Sequence, residues 1–203
     1  MKVRIIKVAA IALLAFQCSI TANAQSAKSV LDKAAASVTV ASGVKANFRM
    51  TTTTGNTSGT IAIKGKKFYA TTPQAKVWFD GKTQWTYLKN NDEVNVSNPT
   101  EAQLQAINPY NFINLYKHGY TYTMNTAGTN YVIHLTSNSA DRKIKELFIT
   151  VNKKSYEPMQ VKMLQGKKWT TFDITSIKKE KIADSQFRFN SKDFPKAEII
   201  DLR

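Results

Sequence analysis

The sequence predicts a mainly β chain of ten or eleven antiparallel strands and three short helices, curled into a barrel or half-barrel. Three observations carry that prediction. Apolar residues recur with a period of two through most of the chain, the pattern of strands that keep one face dry. Gly, Pro and Asn punctuate these runs at intervals too short for βαβ crossovers. Hydrophobic residues make up 42% of the 203 positions, enough for a packed core and too many for a disordered chain. That length fits one domain.

The first 24 residues read as an export signal. Lys2, Arg4 and Lys7 precede an apolar run over 8–16, and Ala22-Asn23-Ala24 follows. The run is too short to span a bilayer. Cys18 follows Phe16-Gln17 rather than a small residue, which argues against lipidation there. Cleavage after Ala24 would leave one domain over 25–203 without cysteine, so neither disulfides nor a cysteine nucleophile enter the account.

A first helix is expected over 26–40, where Val30, Leu31, Ala34, Ala35 and Val38 form one stripe, with Ser29 and Asp32 as a capping arrangement and Gly43 as the stop. The period then changes to two at Val44, Ala46, Phe48 and Met50. A Thr-rich loop over 51–59 leads to Ile61 and Ile63. Gly65-Lys66 breaks the phase before Phe68 and Ala70, predicting a bend or bulge. Asp80-Gly81, between β-prone runs, predicts a type I′ hairpin. Val94 and Val96 mark a further strand. Asn98-Pro99 and Asn108-Pro109 each open a short amphipathic helix, the second ending at Gly119. Alternation resumes from Tyr120 to Ile174, with shorter segments at Phe187/Phe189 and Ile199/Ile200.

A sheet this wide with one apolar face must curl, and a large curl encloses space unless side chains fill it. Strand phase assigns Phe48, Met50, Ile61, Ile63, Phe68, Trp85 and Tyr87 to the inward face of the first half. It assigns Leu147, Ile149, Met159, Val161, Met163 and Phe172 to that of the second half. Leu104, Ile107, Phe112 and Ile113 are the apolar face of the helical cover. The expectation is a hydrophobic hollow under a helical lid.

Catalytic chemistry finds little support. No G-x-S-x-G elbow occurs, and the only histidines, His118 and His134, fall on polar positions. Asp80 belongs to a turn, and adjacent Asp92 and Glu93 point to opposite sides of an extended chain. Gly59 and Gly65-Lys66-Lys67 fail as a phosphate loop, because the spacing is one residue too long and no Ser or Thr follows the lysine. No metal or cofactor site is expected. The formal charge of +15 rests on Lys rather than Arg, and the lysines are scattered. That points away from nucleic acid and towards a solvated surface or transient contact with an anionic membrane.

Asp80, Gly81, Lys82, Thr83, Trp85 and Tyr87 match the DGKT-x-W-x-Y segment of the LolA/LolB family, the periplasmic carriers of outer-membrane lipoproteins, which this chain resembles. Segments 43–50, 59–64, 108–113, 145–151 and 187–190 resemble further parts of that family in the same order. The resemblance implies an incomplete antiparallel β-barrel of eleven strands with a helical lid over a hydrophobic cavity. It implies a monomeric periplasmic carrier without cofactor. Its partners would be acylated lipoproteins, an inner-membrane ABC-type exporter and an outer-membrane acceptor. A lipid-sensing regulatory module on the same scaffold is the alternative. One departure stands out: where the family has an Arg-Pro bend whose Arg holds the lid, this chain has Lys64-Gly65-Lys66-Lys67.

Overall fold

The computed structural model describes residues 26–100, 103–104 and 115–203. Helix α1 (Ala27–Val38) precedes a first meander of β1 (Val44–Thr52), β2 (Gly55–Lys64), β3 (Lys67–Thr71), β4 (Ala75–Phe79), β5 (Gln84–Leu88) and β6 (Glu93–Ser97). A second meander follows in β7 (Tyr120–Ala127), β8 (Asn130–Ser137), β9 (Ile144–Asn152), β10 (Pro158–Gln165) and β11 (Lys168–Lys179), and β12 (Glu198–Asp201) ends the chain. All twelve form one sheet in the order β12-β6-β5-β4-β3-β2-β1-β11-β10-β9-β8-β7. The sheet ends at β12 and β7 without closing, so the barrel is incomplete as expected. It has one strand more than the family pattern, and β12 lies parallel to β6 in an otherwise antiparallel sheet.

The first helix, Ala27–Val38, contains the whole apolar stripe and is slightly shorter than the expected span 26–40. Ser26, not Ser29, caps it: the Ser29 amide donates to Ser26 Oγ at 3.2 Å. Asp32 instead takes Lys28 at 2.7 Å and the Tyr116 hydroxyl. The stripe Val30, Leu31, Ala34, Ala35 and Val38 is buried against β7–β10. The two helices expected over 98–119 fall largely outside the described residues. What is described there begins with Thr100 and Gln103, which cap each other: Gln103 N donates to Thr100 Oγ1 at 3.3 Å and Thr100 N to Gln103 Oε1 at 2.8 Å.

Three turns differ from expectation. Segment 51–59 is not a loop. Its threonines extend β1 and β2, and only Thr53 and Thr54 separate the paired ends Thr52 and Gly55. Gly59 is required inside β2, since a Cβ there would lie 2.6 Å from the Phe48 ring and 2.4 Å from the Thr71 carbonyl oxygen. At 65–66 the chain makes a hairpin rather than a bulge: Ile63 pairs with Phe68, so the phase slip seen in sequence is the reversal of direction. At Asp80-Gly81 the loop has four residues instead of a type I′ pair. Phe79 pairs with Gln84, and only Gly81 takes a positive φ, +103°. The Asp80 carboxylate accepts from the amides of Lys82 and Thr83 and closes an Asx turn.

Directly opposed residues of neighbouring strands share a face, so register sorts every side chain. The face towards α1 carries Val44, Ile63, Phe68 and Phe79 in one row, and Ile133, Ile149 and Val161 in another. The outer face of β2–β6 is covered by the segment after β11, which holds 3-10 turns Asp184–Phe187 and Ser191–Asp193. Phe187 and Ile182 pack on Ala62 and Tyr69, and Phe189 and Phe194 pack edge-on against Trp78 at 5.5 and 5.6 Å. The strand predicted at Phe187/Phe189 is therefore a strap. Two short aromatic positions on an unpaired segment find their burial by lying across the sheet instead of joining it.

Candidate functional site

The inner face is only partly filled. Over β7–β10, helix α1 closes it: Leu147, Ile149, Ile133 and Leu135 are fully buried beneath the helix. Where α1 ends, a cavity of about 70 Å³ opens between Val38, β1, β2, β10 and β11. Val44, Ala46, Phe48, Ile61, Ile63, Pro158, Val161, Phe172, Ile174 and Ile177 complete its wall. Phe48 and Phe172 meet edge to face at 6.0 Å. Every lining side chain is apolar, so water gains no hydrogen bond there. An apolar cavity of about 150 Å³ holds one benzene, so this space accepts a few methylenes at rest and more as its wall moves.

Fourteen of the seventeen sequence-assigned residues divide into four groups. Phe48, Ile61, Ile63, Val161 and Phe172 line the cavity. Met50, Phe68 and Leu104 lie beside it, in the cluster that continues over β3 and β4. Leu147, Ile149 and Met163 are on the same face but beneath α1, where they are core. Ile107, Phe112 and Ile113 lie outside the described residues.

Three assignments are corrected. Trp85 and Tyr87 sit opposite Trp78 and Lys76, on the outer face. Tyr87 packs against Phe194 of the strap with the rings tilted, at 4.6 Å, and donates to Asp92 at 2.9 Å. The alternation was real, but the aromatic face of β5 points outward, where Phe194 of the strap packs on Tyr87. Met159 is 42% exposed, because a bulge between Pro158 and Gln160 removes it from the ladder and hands its place to Pro158.

Alternation along β1 extends through Val44 and Ala46, so both were within reach of the sequence. Val38, Pro158, Ile174 and Ile177 were not. Ile174 and Ile177 are three apart and reach the same wall because Thr175 is bulged out against Asn47/Phe48.

Among the described residues, one polar side chain is buried on the inner face. Gln84, opposite Phe79, is 8% exposed. Its Nε2 donates to Thr86 Oγ1 at 3.2 Å, while its Oε1 has no partner among the described residues. Charged groups are kept to other surfaces. Lys64 and Lys67, at the bend that carries the family's arginine, both grip Asp184 of the strap, at 2.9 and 3.0 Å. Lys64 also donates to the Ile182 carbonyl at 3.0 Å. Hydrogen bonds from the two ammonium groups hold the Asp184 carboxyl below its usual range. Asp80 meets Arg188 at 3.5 Å. Burial, with the bond to Asp32, pushes the Tyr116 phenol well up. His134 stacks on Phe148 at 4.2 Å on the outer face and pairs with Glu146 at 3.0 Å. Among the described residues, no three His, Cys, Asp or Glu side chains gather as a metal site.

No curated protein matches the chain in sequence. Among solved structures, an uncharacterized conserved protein from Thermus thermophilus shares the fold, with a TM-score of 0.58 at 11% identity, over 86% of this chain and 98% of that one. A LolA superfamily protein from Nitrosomonas europaea aligns over 81% of this chain and 98% of its own, with a TM-score of 0.44 at 12% identity. The family model described as outer membrane lipoprotein carrier protein LolA matches residues 18–167. An open antiparallel sheet around an apolar hollow, and a sequence match over most of its length, place this chain in the LolA family of outer membrane lipoprotein carrier proteins.

Proposed function

We propose that the chain is a periplasmic carrier that shelters the acyl chains of lipoproteins and moves them from the inner to the outer membrane. The observation that carries this reading is the wholly apolar cavity at the end of α1, beside the packed apolar cluster of Ile63, Phe68 and Phe79. A buried CH₂ is worth about 0.8 kcal/mol, so one long acyl chain in water costs on the order of 10 kcal/mol. A carrier offsets most of that by burial alone and needs no catalytic group.

In this reading Phe48, Met50, Ile61, Ile63, Phe68, Leu104, Val161 and Phe172 contact the guest. Ile107, Phe112 and Ile113 belong to the cover. Residues 1–24 are the export signal, 25–203 form one domain, and the carrier is a monomer that meets an ABC-type exporter and an outer-membrane acceptor in turn. The acyl guest enlarges the resting cavity by displacing its wall.

The test is mass spectrometry of lipid and protein retained through gentle purification from the cell envelope. Acylated lipoprotein is expected with the wild type and not with Ile177→Trp, which fills the cavity. Absence of any acylated species, together with no uptake of a fluorescent acyl probe, would overturn the reading.

A further inference from the structure

The lysines are scattered in the sequence, but the fold brings a group of them to one end of the sheet. Gln165 pairs with Lys168, so a two-residue turn joins β10 to β11, with Gly166 at a positive φ of +60° and Lys167 at the tip. Gln165 also pairs with Ile144, which sets this turn beside the end of the β8–β9 loop. Arg142, Lys143, Lys145, Lys162, Lys167 and Lys168 therefore gather there, against the acids Asp141 and Glu146. Among the described residues none of these six cations makes an ion pair, and Glu146 is engaged by His134. Just behind the turn Trp169 pairs with Leu164, each three residues from an inner-face residue (Phe172 and Val161) and so on the outer face, where both are half-buried. The Lys162 ammonium lies 4.6 Å over the Trp169 ring, and Phe148 stands 6.0 Å from that ring.

We propose that this end of the sheet docks on an anionic lipid bilayer, with the lysines at the headgroups and Trp169 and Leu164 in the interfacial layer. Charge complementarity identifies the partner, since each ammonium group held near an anionic leaflet adds about 5-fold in affinity. Lys is a hydrated point charge that needs no fixed geometry in its counter-ion, which suits mobile headgroups. A protein partner fits less well: protein interfaces are depleted in Lys, and one Trp with one Leu falls short of their apolar core. An indole flanked by lysines belongs instead to the membrane–water boundary, where the ring meets both media. The proposal goes beyond the acyl-carrier reading and rests on different residues, none of which lines the cavity.

The experiment sediments the purified protein with vesicles of phosphatidylcholine alone and of phosphatidylcholine mixed with phosphatidylglycerol. Binding is expected only to the mixed vesicles, falling as salt rises and shifting tryptophan emission to the blue. Replacing both turn lysines, Lys167→Gln with Lys168→Gln, should weaken it about 30-fold. Trp169→Phe should remove the blue shift. The same charge taken from the other end of β11, by Lys178→Gln with Lys179→Gln, lies roughly 33 Å away along the strand and should change binding by less than about 2-fold. Equal loss from the two lysine pairs would reduce the effect to net charge and overturn the proposal. So would equal sedimentation with both vesicles, or binding to neither, and that contrast is read on the wild type without any variant. None of these results would touch acyl binding in the cavity.

Discussion

Lys64 and Lys67 illustrate how a residue is redefined by what it meets. They occupy the bend where the family pattern has a lid-holding arginine, yet both reach Asp184 of the C-terminal strap. The Asp184 carboxyl is lowered by those lysines, Asp32 by Lys28 and Tyr116, and Asp201 to about 2 by Arg203. A carboxyl lowered in the folded state adds stability above its unfolded value near 4, and that stability is lost as pH falls through the folded value. The melting temperature should therefore be level above about pH 5 and fall steadily between about pH 4 and 2, and Asp184→Asn should flatten part of that fall in thermal scans. Gln84 makes the opposite case, a residue kept against stability. Gln84→Leu removes a buried unpaired acceptor worth about 1 kcal/mol, so the empty protein should melt roughly 2–4 °C higher by calorimetry.

At the scale of elements, α1 sets the size of the cavity. Leu31 is fully buried in the cluster that joins the helix to β7–β10. Leu31→Ala should cost about 2–5 kcal/mol in urea unfolding, because the packed sheet beneath it collapses only in part. The β1–β2 ribbon depends on a missing side chain. Gly59→Ala would press a methyl into the Phe48 ring and the Thr71 carbonyl, so a loss of about 1–3 kcal/mol is expected by the same measurement. The bulges at Asn47/Phe48 and Pro158/Gln160 are the other controlling features. They carry Ile174, Ile177 and Pro158 to the wall and leave Met159 outside it.

Across the whole molecule, the described residues supply the sheet with a cover on each side. Helix α1 covers the inner face of the second meander, and the strap covers the outer face of the first. Phe187 is completely buried where the strap crosses Ala62 and Tyr69. Phe187→Ala should lower stability by about 3–5 kcal/mol and raise the binding of a hydrophobic dye. That dye signal would come from Trp78, Tyr69 and their neighbours on the outer face, so Ile177→Trp in the cavity should not suppress it. The two variants thus separate the structural apolar surface from the one proposed to hold acyl chains.

The period of two, the stripe on α1 and the turn residues follow from local chemistry, and they were enough for an open antiparallel sheet and its apolar inner face. Phe48, Ile61, Ile63, Val161 and Phe172 could be assigned because unbroken alternation keeps a strand's phase. The strap, the parallel β12 and the outward face of Trp85 and Tyr87 depend on contacts between segments about a hundred residues apart, and alternation reports that a strand has a dry face without saying which cover keeps it dry. Gln84 was invisible for the same reason. It alternates with Trp85 and Tyr87, and only its pairing with Phe79 places it inside.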